Sequence, residues 1–196
     1  MTHRPVAASP GARAREPERV SLHKDARKVI EAWEPPGADS QQMSLRVDYL
    51  AFLDENPDAM WRSCVPGHLT GSALVLSHDR TEVLLTLHPK FDLWLQMGGH
   101  CEPGDHTLRA AAAREAREES GIDGLEMSLA PIQLDRHRVG CHGGAWHFDV
   151  QYLALAPAGA VEVISDESLD LRWWPVGALP AATDDAVRRL VAAAAP

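Results

Sequence analysis

The segment 98–122 constrains the fold most, because a glycine-rich loop there runs straight into a strong helix. Ala110 to Ala113 are four successive alanines set among Arg and Glu residues, all good helix formers. Asp105 or Thr107 can cap the N-terminus by accepting orphan backbone N–H bonds, and Gly121 supplies the stop. Glu115, Glu118 and Glu119 stand at i, i+3 and i+4, so their carboxylates share one face within about 6 Å of axial rise. Upstream on that stripe lie Leu108, Ala111 and Ala112, so a face that starts apolar turns acidic one turn later. Oxygen-only carboxylate clusters suit hard cations such as Mg²⁺ or Mn²⁺, which offset the repulsion and can hold phosphate oxygens. The bland alternative is a solvated helix in which Arg114 pairs with Glu118 at i+4.

Taken whole, the segment resembles the Nudix box, the signature of the Nudix hydrolases. That pattern runs Gly, five residues, Glu, seven residues, Arg-Glu, an aliphatic residue, any residue, Glu-Glu, any residue, Gly, aliphatic. Gly99 takes the first place, and Arg114, Glu115, Glu118, Glu119, Gly121 and Ile122 match the second half in order. Asp105 replaces the first glutamate, with eight residues rather than seven before Arg114, and Ala116 takes the aliphatic place. One extra residue ahead of the helix can be absorbed in a turn. Inside the Arg114–Glu119 run it would rotate the carboxylates by about 100°.

The chain has 196 residues, 45% of them hydrophobic, enough for one domain with a core plus an extension. A net charge of −9 argues against non-specific nucleic-acid binding, which needs a basic footprint, and leaves an anionic substrate dependent on cations at the site. Cys64, Cys101 and Cys141 are odd in number and unevenly spaced, so a reducing, cytoplasmic setting is the simpler inference than a disulfide framework. No 18-residue apolar run or hydrophobic leader occurs, which predicts no membrane association.

Residues 1–20 are rich in Pro, Ala, Arg and Gly without periodicity and are expected to form a disordered tail. Residues 21–60 read as a helical extension. Its first helix carries Leu22, Ala26, Val29, Ile30 and Trp33 at helical spacing and stops before Pro35-Pro36-Gly37. The second spans about 40–56, with Met43, Val47, Leu50, Ala51 and Leu53 as the expected buried stripe. Two such stripes would suit a homodimer, an edge cover or substrate selection.

Residues 61–196 form the remaining domain. A hairpin is expected over 69–87 with its turn at 78–81, then a short strand over 94–97 leading into the double glycine. Beyond the helix, one bent or two short strands fall in 126–139, alternation at 146–156 sets Phe148, Val150, Tyr152 and Ala154 on one side, another strand covers 169–176, and an amphipathic helix covers 184–195. The order implies a mixed sheet flanked by helices, a Nudix-like α/β/α sandwich.

What the resemblance implies for chemistry is specific. Glu115, Glu118 and Glu119, with the Gly99 carbonyl, would ligate Mg²⁺ or Mn²⁺, and Arg114 would orient the carboxylates. Water would attack a phosphorus of a diphosphate linkage, with one glutamate able to serve as general base. A later loop would add an acidic group: Glu167, beside Asp166, is the first candidate and Glu162 the alternative, against a merely solvated loop. Asp105 is assigned a capping or loop role before a metal role.

His100 and Glu102 in the glycine loop, and His142 and His147 further on, are candidate substrate contacts. His137, Cys141, His142 and His147 match no standard zinc spacing. Trp94 and Trp146 could stack a base, although packing is the commoner role of such rings. The reading that follows is a metal-dependent hydrolase acting on a nucleoside diphosphate linked to another moiety or on a nucleoside triphosphate. The alternative is a catalytically silent nucleotide-binding module, against which the complete Arg114, Glu115, Glu118 and Glu119 set argues.

Overall fold

The computed structural model describes residues 21–139 and 144–194. The expected tail at 1–20, together with Cys141 and His142, lies outside the described residues.

Among the described residues two helices come first: α1 (Leu22–Ala32), with Ser21 as N-cap, and α2 (Ser40–Glu55), capped by Asp39. Eight strands follow in one mixed sheet: β1 (Gly67–Leu76), β2 (Glu82–His88), β3 (Leu93–Leu95), β4 (Met97–His100), β5 (Glu126–Met127), β6 (Gln133–Arg138), β7 (Trp146–Leu155) and β8 (Asp170–Pro175). Helix α3 (Leu108–Ser120) lies between β4 and β5, and α4 (Asp185–Ala194) closes the described chain. β1 is the hub, antiparallel to β2 and β4 and parallel to β7 over its whole length.

Side chains alternate across β1, so its two faces belong to different layers. Ala73 and Val75 pack with Ala116 of α3, while Leu74 and Leu76 pack with Val187, Leu190 and Val191 of α4. This is the expected α/β/α sandwich. The strand over 94–97 divides in two, since β3 pairs with β2 and β4 crosses to β1, leaving Gln96 at the switch. The region 126–139 resolves into the two short strands β5 and β6.

The extension packs into the main core rather than beside it. Leu22, Ala26, Ile30 and Trp33 of the first helical segment join Tyr49 and Leu53 of α2, Leu108 and Ala111 of α3, and Phe148 of β7 in one cluster. The α2 stripe needs correction. Met43 is 44% exposed and Val47 61%, whereas Leu45, Tyr49, Phe52 and Leu53 turn inward. Tyr49 sets that rotation: its hydroxyl donates to the Asp135 carbonyl at 2.6 Å, with the Asp149 carbonyl at 2.9 Å, and its ring meets Phe148 edge-on. Among the described residues no helix is long and apolar enough to cross a membrane.

Candidate active site

Four buried small or apolar positions, Leu108, Ala111, Ala112 and Ala116, hold α3 against the sheet and leave the next face to its acids. Thr107 caps the helix by accepting from Ala110 N–H at 3.0 Å. A second cap comes from the extension, where the Asp25 carboxylate accepts from Leu108 N–H at 2.8 Å. Asp105 is therefore not the cap. It accepts from Glu102 N–H at 2.8 Å, closing the turn that absorbs the extra residue, and it faces Arg114.

Arg114 ties the site together. Nε and Nη2 donate to the two Asp105 oxygens at 3.2 and 3.1 Å, Nη2 also to the His100 carbonyl at 2.8 Å, and Nη1 to Glu115 at 2.9 Å and Glu118 at 3.0 Å. Glu102 lies at 3.9 Å, near the limit of an ion pair. Burial opposes the guanidinium charge, but the hydrogen bond to Asp105 and the charge of Glu115 outweigh it and hold the Arg114 pKa above its ordinary value. One fork thus fixes two carboxylates of the helix and the end of β4.

Gly99 explains why glycine stands at that strand end. A Cβ there would meet all three atoms of the Glu115 carboxylate at 2.7 Å. Without it, the carboxylate lies directly over the β4 backbone. Gly121 does similar service at the other end of α3, where φ is +66° and a Cβ would meet Val163 at 2.6 Å. Val163 N–H donates to the Ser120 carbonyl at 2.7 Å, so the 161–169 loop leans on the helix end. From that loop the charge of Glu167 reaches both Glu115 and Glu119. Glu162 turns away and accepts from the Trp173 indole at 2.8 Å.

The carboxylates are not equally settled. Burial raises Glu115, and Arg114 only partly offsets this. Burial, then the repulsion of Glu115, pushes Glu119 up to about 8, against a hydrogen bond from Gly98. Among the described residues, Glu119 Oε2 is buried with no hydrogen-bond partner. A carboxylate oxygen without a donor, beside three more carboxylates, is the environment a hard divalent cation satisfies. A hard divalent cation would suit the oxygen donors gathered on this face of α3.

Around His68, Thr70 and Ser72 of β1 the opposite face of the sheet is polar. Asp149 on β7 is buried and accepts from Ser72 Oγ at 2.6 Å, Thr70 Oγ1 at 2.8 Å and Gln151 Nε2 at 2.9 Å. Burial raises its pKa even so. Next to it, His147 of β7 meets His68 of β1 and His100 of β4, with ring centroids 4.7–5.1 Å apart. Burial, then the charge of His68, lowers His100 to about 4 and His147 to about 3. Two of the residues singled out from sequence, His100 and His147, thus meet each other, while Glu102 stays in the exposed loop. His68, Asp25 and Asp149 carry no local signal of their roles; strand register and helix packing assemble them.

Trp94 is core, edge-on to Trp174, and Trp146 lies under Arg138 and Arg136 at 4.4 and 5.1 Å. A cleft of about 420 Å³ between the β1–β2 turn and residues 156–162 is lined by Asp79, Glu82, Glu162 and Trp173, and includes none of the acidic set on α3.

Comparison with known proteins adds the following. The sequence model of one family, described as NUDIX domain, matches residues 67–194. No curated protein matches the chain. Among solved structures, a hydrolase of the NUDIX family from Clostridium perfringens is 24% identical with a TM-score of 0.53, covering 63% of this chain and 93% of that one. The NUDIX domain of Shewanella oneidensis NrtR, in complex with ADP ribose, is 25% identical with a TM-score of 0.52, covering 76% and 95%. A Caenorhabditis elegans (C. elegans) Ap4A hydrolase in a binary complex is 19% identical with a TM-score of 0.53, covering 64% and 93%.

Proposed function

The chain belongs to the NUDIX domain family of pyrophosphohydrolases, and on that footing we propose that it cuts the diphosphate linkage of a small nucleotide with Mg²⁺ or Mn²⁺ at the acidic face of α3. The substrate class is a nucleoside diphosphate linked to another moiety, or a nucleoside triphosphate. Neighbours crystallised with ADP ribose or described as acting on Ap4A support this class.

The observation that carries the reading is the convergence of Glu115, Glu118, Glu119 and Glu167 around a buried, unpartnered Glu119 oxygen. When bound, the cation supplies neutralisation of the diphosphate oxygens and a lowered pKa for the attacking water. The chain supplies position. Arg114 fixes Glu115 and Glu118, Gly99 lets Glu115 lie over β4, and the Gly121 turn brings in Glu167. Glu167, or one glutamate of the α3 set, is the proposed acceptor of a proton from water. Arg114 positions; it does not touch the reacting atoms.

His100 and His147, on the sheet face beyond β4, and Glu102 at the loop are proposed contacts for the part of the substrate that extends away from the diphosphate. A cytoplasmic setting accords with Cys64 and Cys101, both free and buried. The homodimer we propose would use the outward α2 positions Met43 and Val47, because α1 commits its stripe to the core. Light scattering checks it.

The experiment is a turnover panel of nucleoside triphosphates, nucleotide sugars, ADP ribose and dinucleoside polyphosphates with Mg²⁺ or Mn²⁺. Wild type is compared with Glu118→Gln, Glu119→Gln and Glu167→Gln. Metal-dependent turnover that falls by at least about 10²-fold in the Glu118 and Glu119 variants is expected. Ligand binding without turnover on every compound would overturn the reading.

A further inference from the structure

We propose that His68, His100 and His147 form a second metal site, for a transition ion of the Zn²⁺ class, on the face of the sheet opposite α3. One ligand atom from each lies within 4.8 Å of the others. Any three points so spaced fit within about 2.8 Å of a common centre, so small side-chain rotations bring the donors to the roughly 2.0–2.1 Å of a Zn–N bond.

The placement follows from strand register. His68 on β1 sits directly beside His147 on the parallel strand β7, and His100 pairs with Thr70 on β1, two positions along. Residues 68 and 70 share a face, so all three imidazoles do. Gly99, one residue back on β4, faces Glu115 on the other side. The acidic and the imidazole groups therefore meet at β4 and diverge to opposite faces.

Chemistry separates the two groups as well. Carboxylate and carbonyl oxygens select Mg²⁺ or Mn²⁺, whereas imidazole nitrogens select Zn²⁺ and its neighbours in the first transition row. His100 Nε2 and His147 Nε2 are buried and, among the described residues, lack a hydrogen-bond partner. Buried ring nitrogens without a hydrogen-bond partner are what a metal would satisfy. Three protein ligands leave a fourth tetrahedral position open, the arrangement of catalytic rather than closed structural sites. His137, hydrogen-bonded through Nδ1 to Asp135 at 2.8 Å, has its ring 5.5 Å from that of His147 and stands at the rim.

The test is Co²⁺ titration of the full chain, freed of any affinity tag, followed by visible spectroscopy. One equivalent should give the d–d absorption of a tetrahedral site in wild type and equally in Glu118→Gln and Glu119→Gln. His100→Ala and His147→Ala should weaken Co²⁺ and Zn²⁺ binding by at least about tenfold. A second measurement needs no variant: in a two-bond ¹H–¹⁵N spectrum of wild type, Zn²⁺ should shift the imidazoles of His68, His100 and His147. Absence of the tetrahedral absorption in wild type overturns the proposal. So does an absorption that both histidine variants retain, or Zn²⁺ shifts confined to other histidines.

Discussion

Glu119→Gln should stabilise the metal-free protein at alkaline pH while weakening its response to metal. Glu119 has an ordinary carboxylate pKa of 4.5 and is pushed up to about 8 in the fold, chiefly by burial and then by Glu115. Between these values the unfolded chain has lost the proton and the folded chain keeps it. The native state binds more protons there, so this group's contribution is fully present below 4.5 and is lost as pH rises through about 8. The gap of about 3.5 units sets a ceiling of roughly 5 kcal/mol, at about 1.4 kcal/mol per unit.

Glutamine cannot titrate, and its carbonyl still accepts from Gly98. At pH 5 the two proteins should therefore melt within a few degrees of each other. At pH 9 the variant should lead by up to about 10–20 °C, taking roughly 2–4 °C per kcal/mol for a chain of this size. Melting curves in EDTA across this range read it out, and the other titrations cancel between the two proteins. Mg²⁺ or Mn²⁺ at about 100 times Kd should then add about 2.7 kcal/mol to wild type and markedly less to the variant. Parallel pH dependence in the two proteins would refute the account of Glu119 as an uncompensated buried carboxylate.

Arg114→Lys should cost about 2–3 kcal/mol in urea denaturation, since one ammonium cannot replace the fork that reaches Asp105, Glu115, Glu118 and the His100 carbonyl. Gly99→Ala places a methyl 2.7 Å from the Glu115 carboxylate, the mobile end of a side chain. Stability should therefore change by less than about 1 kcal/mol while calorimetric Mg²⁺ or Mn²⁺ affinity falls at least about tenfold. Asp25→Ala removes the acceptor for Leu108 N–H and should lower stability by about 1 kcal/mol, seen as a fall of roughly 2–4 °C in the melting temperature.

The acidic face was legible because its residues are local. Arg114, Glu115, Glu118 and Glu119 lie on little more than one turn, so helix periodicity alone places them together. Glu167 needed only the knowledge that a later loop returns to that helix end. The histidine group was not legible, because His68, His100 and His147 lie on three strands and meet only through register. A linear scan instead grouped His147 with His137, its nearer neighbour in sequence. The α2 stripe failed for a different reason. Met43 and Val47 fit helical spacing but face outward, whereas Tyr49 turns its ring into the core because its hydroxyl reaches the Asp135 carbonyl.

The helical extension bears on the acidic face through two links that no local pattern announces. Asp25 satisfies one of the first-turn donors of α3, and the cluster containing Leu22, Ala26 and Ile30 also contains Leu108 and Ala111. Leu108 therefore receives a hydrogen bond on its backbone and packing on its side chain from the same helix. The axial position of α3 sets where Glu115 meets Gly99, a contact in which even a methyl group would displace the carboxylate. A helix whose carboxylates repel one another needs its apolar end held firmly, and α1 packs on that end. The extension is thus part of what keeps the acids in place, although none of its own residues reaches them.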